Sequence, residues 1–212
     1  MTTAEPTCLE TAQLAFEPGP REGVERKALE SPLLPDHQVA ILRLTPGASL
    51  DVSPESDREL YILEGDLSLP GGNLAAGGYV RLPGSQPFEN RSTSGCTLFY
   101  REGPFFEGEC EPALHQTGPS DWRPGQGNLR VLPLHNGSTS GTALVHWPAG
   151  ERFVPHRHFG GEEIFVLSGT FEDEHGRYPA GTWLLSPHLS THHPFVREET
   201  VILVKTGHVP IA

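Results

Sequence analysis

The chain carries one punctuation scheme twice. Residues 40–105 and 143–208 repeat at an offset of about 103 residues, and a repeat of that length signals two copies of one structural unit. In the first copy Thr45-Pro46-Gly47 ends a β-rich run, residues 59–65 read as a strand closed by a turn, and residues 76–83 lead to Pro87-Phe88. In the second, residues 147–150, 163–169 and 179–187, then Pro194-Phe195, fall at matching places. Each copy ends in an apolar run, 97–100 in one and 201–204 in the other. Apolar or alternating runs of about four to eight residues bounded by Gly and Pro are strands and turns, and no segment sustains helical spacing. The repeat therefore restricts the chain to an all-β protein of two antiparallel barrels or sandwiches.

At 212 residues each copy is long enough to bury a core of its own. The 24 glycines and 21 prolines are dispersed between the apolar runs, as tight turns require, rather than gathered into low-complexity tracts. The expected organisation is an N-terminal arm over 1–20, a barrel over 21–105, a linker over 106–126 and a second barrel over 127–212. The linker is rich in Gly, Pro and acidic residues, and part of it can pair with a barrel edge.

A net charge of -12 without a Lys or Arg cluster repels phosphate backbones and anionic lipid, which excludes nucleic acid and membrane surfaces as expected partners. Cys8, Cys96 and Cys110 are odd in number and lack C-x-x-C spacing, so reduced thiols in a cytoplasmic protein are expected. No apolar run approaches the roughly 18 residues of a membrane span, and the N-terminal residues lack a signal-peptide layout.

The chemistry lies in the second copy. His156 and His158 stand two apart, so on a strand both point to one face while Arg157 points away. Gly160 and Gly161 let the chain turn and return Glu162 to the same interior, and His192 arrives from a later strand after Pro187. Three imidazoles and a carboxylate suit zinc, iron, manganese, nickel or cobalt, and the donor set alone does not choose. A tetrahedral zinc would have its shell filled, as in a structural or sensory site; an octahedral iron or manganese would keep two open positions for a substrate.

Other residues compete for these roles. Glu163 neighbours Glu162 but faces the opposite side of an extended strand, and His188 and His193 fit the spacing from Gly181 and Pro187 less well than His192. His175, in the run EDEHGR, reads as a solvated turn residue. Arg152, Phe165 and Trp183, with Tyr178 and Phe195, are candidates to line a ligand pocket above the ion, although aromatics on strands are more often core. The stretch around Trp122 either covers the barrel mouth or joins the halves.

The pattern from Gly150 to Gly169, with His156, His158 and Glu162 inside it, resembles the first conserved block of the cupin superfamily. Gly181, Pro187 and His192 resemble the second, where Leu189 replaces a customary Gly and Val196 a customary Asn. The wording PHRHFGGEEIFVLSG followed by DEHGRYPAG is most similar to the cupin domain of ChrR-type anti-sigma factors, over residues 120–207. The resemblance implies two tandem jelly-roll barrels. It also implies zinc held by His156, His158, Glu162 and His192. The N-terminal helical zinc motif with which ChrR proteins grip a sigma factor has no counterpart here, so direct sigma-factor binding is not expected.

In the first copy Ser53, Glu55, Arg58 and Ser85 or Gln86 stand at the ligand positions. An Arg there repels a cation, and a metal-free barrel is expected, with binding of an anionic small molecule through Arg58 as the alternative. Two functions remain open for the whole: a metal protein that binds or senses a small molecule or oxidant, or a metal-dependent dioxygenase acting on a small diketone or phenolic ketone. Pairing of edge strands into a homodimer is a further expectation.

Overall fold

A computed structural model describes residues 5–50, 55–86, 88–106 and 108–211. It is almost entirely β, with two 3-10 turns, Thr11–Gln13 and Pro119–Asp121. Ser53 and Pro87, named above, lie outside the described residues. No described helix is long and apolar enough to cross a membrane.

Two compact units divide the chain. One takes Leu14–Glu30 and Pro35–Gly118; the other takes the described residues up to Gln13, Ser31–Leu34 and the chain from Pro119.

The first unit is an antiparallel sheet in the order Glu17–Pro18, Val24–Ala28, Gln38–Leu44, Cys96–Glu102, Arg58–Leu69, Gly78–Leu82, Ala113–Gln116, with Gly72–Ala75 also paired to Arg58–Leu69. Alternate residues of these strands meet in one apolar core that includes Leu42, Leu44, Leu60, Ile62, Val80 and Leu98. Arg58 is 1% exposed, its Nε donating to Ser56 O at 3.1 Å and its guanidinium lying 5.5 Å from the Phe88 ring. Among the described residues of this unit, no three His, Cys, Asp or Glu side chains converge closely enough to hold an ion.

The second unit is a seven-stranded sheet in the order Thr7–Glu10, Thr182–Ser186, Glu162–Ser168, Thr200–Thr206, Gly141–Trp147, Arg130–Asn136, Arg123–Pro124. Two short ribbons complete it: His156–Arg157 with Thr191–His192, and Thr170–Glu172 with Arg177–Pro179. The period of two sorts the side chains of Glu162–Ser168. Ile164 and Val166 join an interior cluster with Trp147, Phe171, Leu184 and Ile202. Glu163 and Phe165 point to the other face and are buried there too.

The stretches expected to be an arm and a linker are divided among sheets. Thr7–Glu10 pairs with Thr182–Ser186, Cys8 opposite Leu184, while Glu17–Pro18 pairs with Val24–Ala28. Within 106–126, Ala113–Gln116 pairs with Gly78–Leu82 and Arg123–Pro124 with Arg130–Asn136. Each covers backbone groups that an uncovered sheet edge would leave unpaired.

Candidate metal centre

Local backbone chemistry assembles the site. His156 lies directly opposite His192 in a two-residue ribbon, so two ligands are set by one register. The chain then turns through Gly160 and Gly161, both left-handed at φ +71° and +70°. A Cβ on Gly161 would stand 2.6 Å from Ser186 O, so glycine is required there for space as well as for φ. His158 is tied through its backbone: its N–H donates to Ser190 O at 3.0 Å, and its carbonyl accepts from Leu189 N at 2.8 Å. Leu189 holds φ +64°, the only left-handed non-glycine among the described residues, at the place where the cupin pattern customarily has Gly.

The four predicted residues converge. Their ligating atoms all lie within 4.8 Å of one another. Glu162 Oε2 is 3.4 Å from His158 Nε2 and 3.5 Å from His192 Nε2. Atoms bonded at about 2.0–2.2 Å to one tetrahedral ion stand roughly 3.3–3.6 Å apart, so Glu162 already has that spacing from His158 and from His192. Glu162 Oε2 and His158 Nε2 are buried and make no hydrogen bond. Buried polar atoms left in that state are costly unless an ion completes them.

The electrostatics agree with that geometry. Burial pushes the Glu162 carboxyl up to about 7, partly offset by His192. Burial, reinforced by His192 and His156, pushes His158 down to about 3. His156 is lowered mainly by burial, while its Nδ1 contacts Val154 O at 3.0 Å, which leaves Nε2 for the site. Burial also acts to lower His192, but Asp173 and Glu162 outweigh it and raise it. Two imidazoles held toward the neutral form and a carboxyl whose ionisation a nearby positive charge favours are suited to a divalent cation.

Asp173, which the sequence reading did not single out, fixes His192 from behind. Its Oδ2 lies 3.4 Å from His192 Nδ1, and its Oδ1 accepts from Tyr178 Oη at 2.9 Å and from the backbone N–H groups of His175 and Gly176 at 2.8 and 3.0 Å. The one available signal is local: Asp followed three residues later by Gly reads as an Asx turn, but nothing in the spacing aims it at His192. His175 is exposed in that turn. His188 Nδ1 accepts from Gly160 N at 2.8 Å and so braces the turn, and His193 is exposed.

Beside the ligands lies a chamber of about 210 Å³, bounded by His156, Glu162 and His192. Its walls include Leu129, Val145, Trp147, Phe153, Phe171 and Ile202. Gln126 borders it, which puts part of the stretch after Trp122 at the chamber rim. Arg152, Phe165 and Trp183 do not line it. Phe165 and Trp183 sit opposite each other on the face that carries Glu163, and Trp183 Nε1 donates to Glu163 Oε1 at 2.8 Å. Arg152 is exposed with its guanidinium 5.0 Å from the Phe195 ring. Glu163 also meets His208 Nε2 at 3.3 Å, so it belongs to that second face and not to the ligand cluster.

Comparison with known proteins places this arrangement. The sequence profile of the ChrR cupin-like domain matches residues 4–106 and again 111–210. The chain belongs to the ChrR cupin-like family. Both units of this ChrR-like bicupin are thus copies of the same domain. No curated protein sequence matches it significantly. Among solved structures it is similar to oxalate decarboxylase from Lactobacillus farciminis in complex with formate, at 13% identity and TM-score 0.71, covering 100% of this chain and 89% of that one. A Nostoc punctiforme protein provisionally designated a dioxygenase aligns at 14% identity and TM-score 0.73, over 98% and 85% of the two chains. Protein YlbA from E. coli aligns at 13% identity and TM-score 0.75, over 98% and 93%. At these identities the likeness is one of fold.

Proposed function

We propose that the C-terminal barrel holds one divalent ion, zinc by preference, on His156, His158, Glu162 and His192, and binds a small molecule beside it. The observation that carries this reading is the convergence of four donor atoms within 4.8 Å, two of them buried without a hydrogen bond. A bound ion supplies Lewis acidity. Glu162 contributes the single negative charge of the donor set, His156 and His158 enter neutral, and Asp173 holds the His192 ring in one orientation. The apolar walls flank the open side of the cluster. Because four protein donors fill a tetrahedral shell, a small molecule that reaches zinc here must expand the shell or displace a donor, which makes the site a sensor of that molecule.

A second reading, a metal-dependent dioxygenase acting on a small diketone or phenolic ketone, is favoured by one feature. The chamber leaves room on the open side of the ligands for a substrate, and an octahedral iron or manganese keeps two positions free. Metal analysis of protein purified without added ions tests the first reading. About one zinc per chain is expected, and a His158→Ala variant should lose it; a full-length folded protein with no bound divalent ion would overturn the proposal. Oxygen uptake by iron-loaded protein given a diketone would establish the second reading in place of the first.

A further inference from the structure

We infer that the chamber beside the metal centre selects an uncharged, largely apolar molecule and rejects small carboxylates; this rests on the metal reading above. Among its described lining residues there is no Lys or Arg, and apart from the ligands themselves the polar groups are Gln126 at the rim and the indole N–H of Trp147, which is buried without a hydrogen bond. Arg152, which the sequence offered as a charge for this space, is exposed and stacked toward Phe195 instead.

Charge balance at the floor gives the same answer. A divalent ion brings two positive charges, and Glu162 with Asp173 behind His192 already brings two negative ones. An entering carboxylate therefore finds no net positive charge to pair with; Phe153, Phe171 and Ile202 offer it no hydrogen bonds, and the indole N–H of Trp147 is a single neutral donor, enough for one ketone or hydroxyl oxygen. Burying an ion without a partner costs several kcal/mol, whereas burying an aromatic ring among these walls is favourable. An engineered cavity of about 150 Å³ in another protein accepts benzene. A chamber of about 210 Å³ thus admits one ring carrying a short oxygen-bearing substituent. The fold shared with oxalate decarboxylase does not bring that enzyme's dianionic ligand class with it.

The test uses two molecules of the same size that differ in charge, 2-hydroxyacetophenone and salicylate, titrated calorimetrically into the full-length zinc-loaded chain. Zinc content is measured before and after. The neutral ketone is expected to bind at least tenfold more tightly than salicylate. Val131→Lys, which sets an ammonium on the half-buried chamber wall, is expected to shift that ratio at least tenfold toward salicylate; Val204→Lys serves if the first variant does not fold. Equal or tighter binding of salicylate to the wild-type chain, or no binding of either at millimolar concentration, with zinc retained, would overturn the inference and leave the metal site standing. Failure to bind zinc at all would overturn both.

Discussion

Asp173 Oδ2 lies 3.4 Å from His192 Nδ1, on the side of the ring away from Glu162. Carboxylates in that position fix the tautomer and direction of a metal-binding imidazole, and losing one costs about 10–100-fold in metal affinity. Asp173→Asn is therefore expected to weaken zinc binding by about that factor in competition with a chromophoric chelator. Tyr178→Phe, which removes one of the groups holding Asp173, should give a smaller loss in the same direction. An unchanged affinity in both variants would show that His192 needs no such support.

Glu162 makes the metal-free protein sensitive to pH. Its carboxyl is raised from 4.5 to about 7 in the fold, so its contribution to stability is complete below about 4.5 and is lost as pH rises through about 7. That loss amounts to as much as about 3 kcal/mol. His158 works in the opposite sense: lowered from 6.5 to about 3, it contributes stability above 6.5 that is lost as pH falls toward 3. Glu162→Gln keeps the second effect and removes the first. Chelator-treated E162Q is expected to be more stable than the chelator-treated parent at pH 8 and equal to it at pH 4, by urea unfolding. A stability difference between E162Q and the parent that stays the same from pH 5 to 8 would contradict the assignment.

Metal removal should be visible in thermal unfolding. An ion at about 100 times its dissociation constant adds about 2.7 kcal/mol, and in a protein of this size each kcal/mol moves Tm by about 2–4 °C. Chelation is expected to lower Tm by about 5–10 °C in the parent chain and to leave His158→Ala unchanged. Equal shifts in both proteins would place the responsive ion elsewhere.

Leu189 occupies a left-handed conformation at φ +64° while 43% of its surface is exposed. A side chain with a Cβ costs about 1–2 kcal/mol there, partly offset by the freedom a glycine gains when unfolded. Leu189→Gly is therefore expected to stabilise the protein by up to about 1 kcal/mol without changing metal affinity, measured by denaturant midpoint and chelator competition. A loss of stability would mean that the leucine side chain contributes more through packing than its backbone costs.

The convergence of His156, His158, Glu162 and His192 was legible because spacing along a strand dictates direction, and the paired glycines announce the turn between them. The all-β repeat was legible for the same reason. Phe165 and Trp183 read as pocket candidates by aromatic character, although strict alternation from Glu162 assigns the interior to Ile164 and Val166. The actual walls, Trp147, Phe153 and Phe171, come from three separated segments whose meeting depends on register and closure, which no local pattern encodes. Asp173 is not legible as a partner of His192, because an acidic residue in a turn looks like any other. Thr7–Glu10 reads as part of an arm, because four residues carry too little periodicity to reveal a partner more than 170 positions away.

That distant pairing sets an order of events during synthesis. The strand Thr7–Glu10, which completes the metal-bearing sheet, leaves the ribosome more than 170 residues ahead of Thr182–Ser186, to which it must zip. The C-terminal half excised on its own would expose the raw backbone of Thr182–Ser186 to any passing chain, whereas a chain that keeps Thr7–Glu10 carries its own selvedge and stitches the sheet shut with residues translated ahead of both barrels.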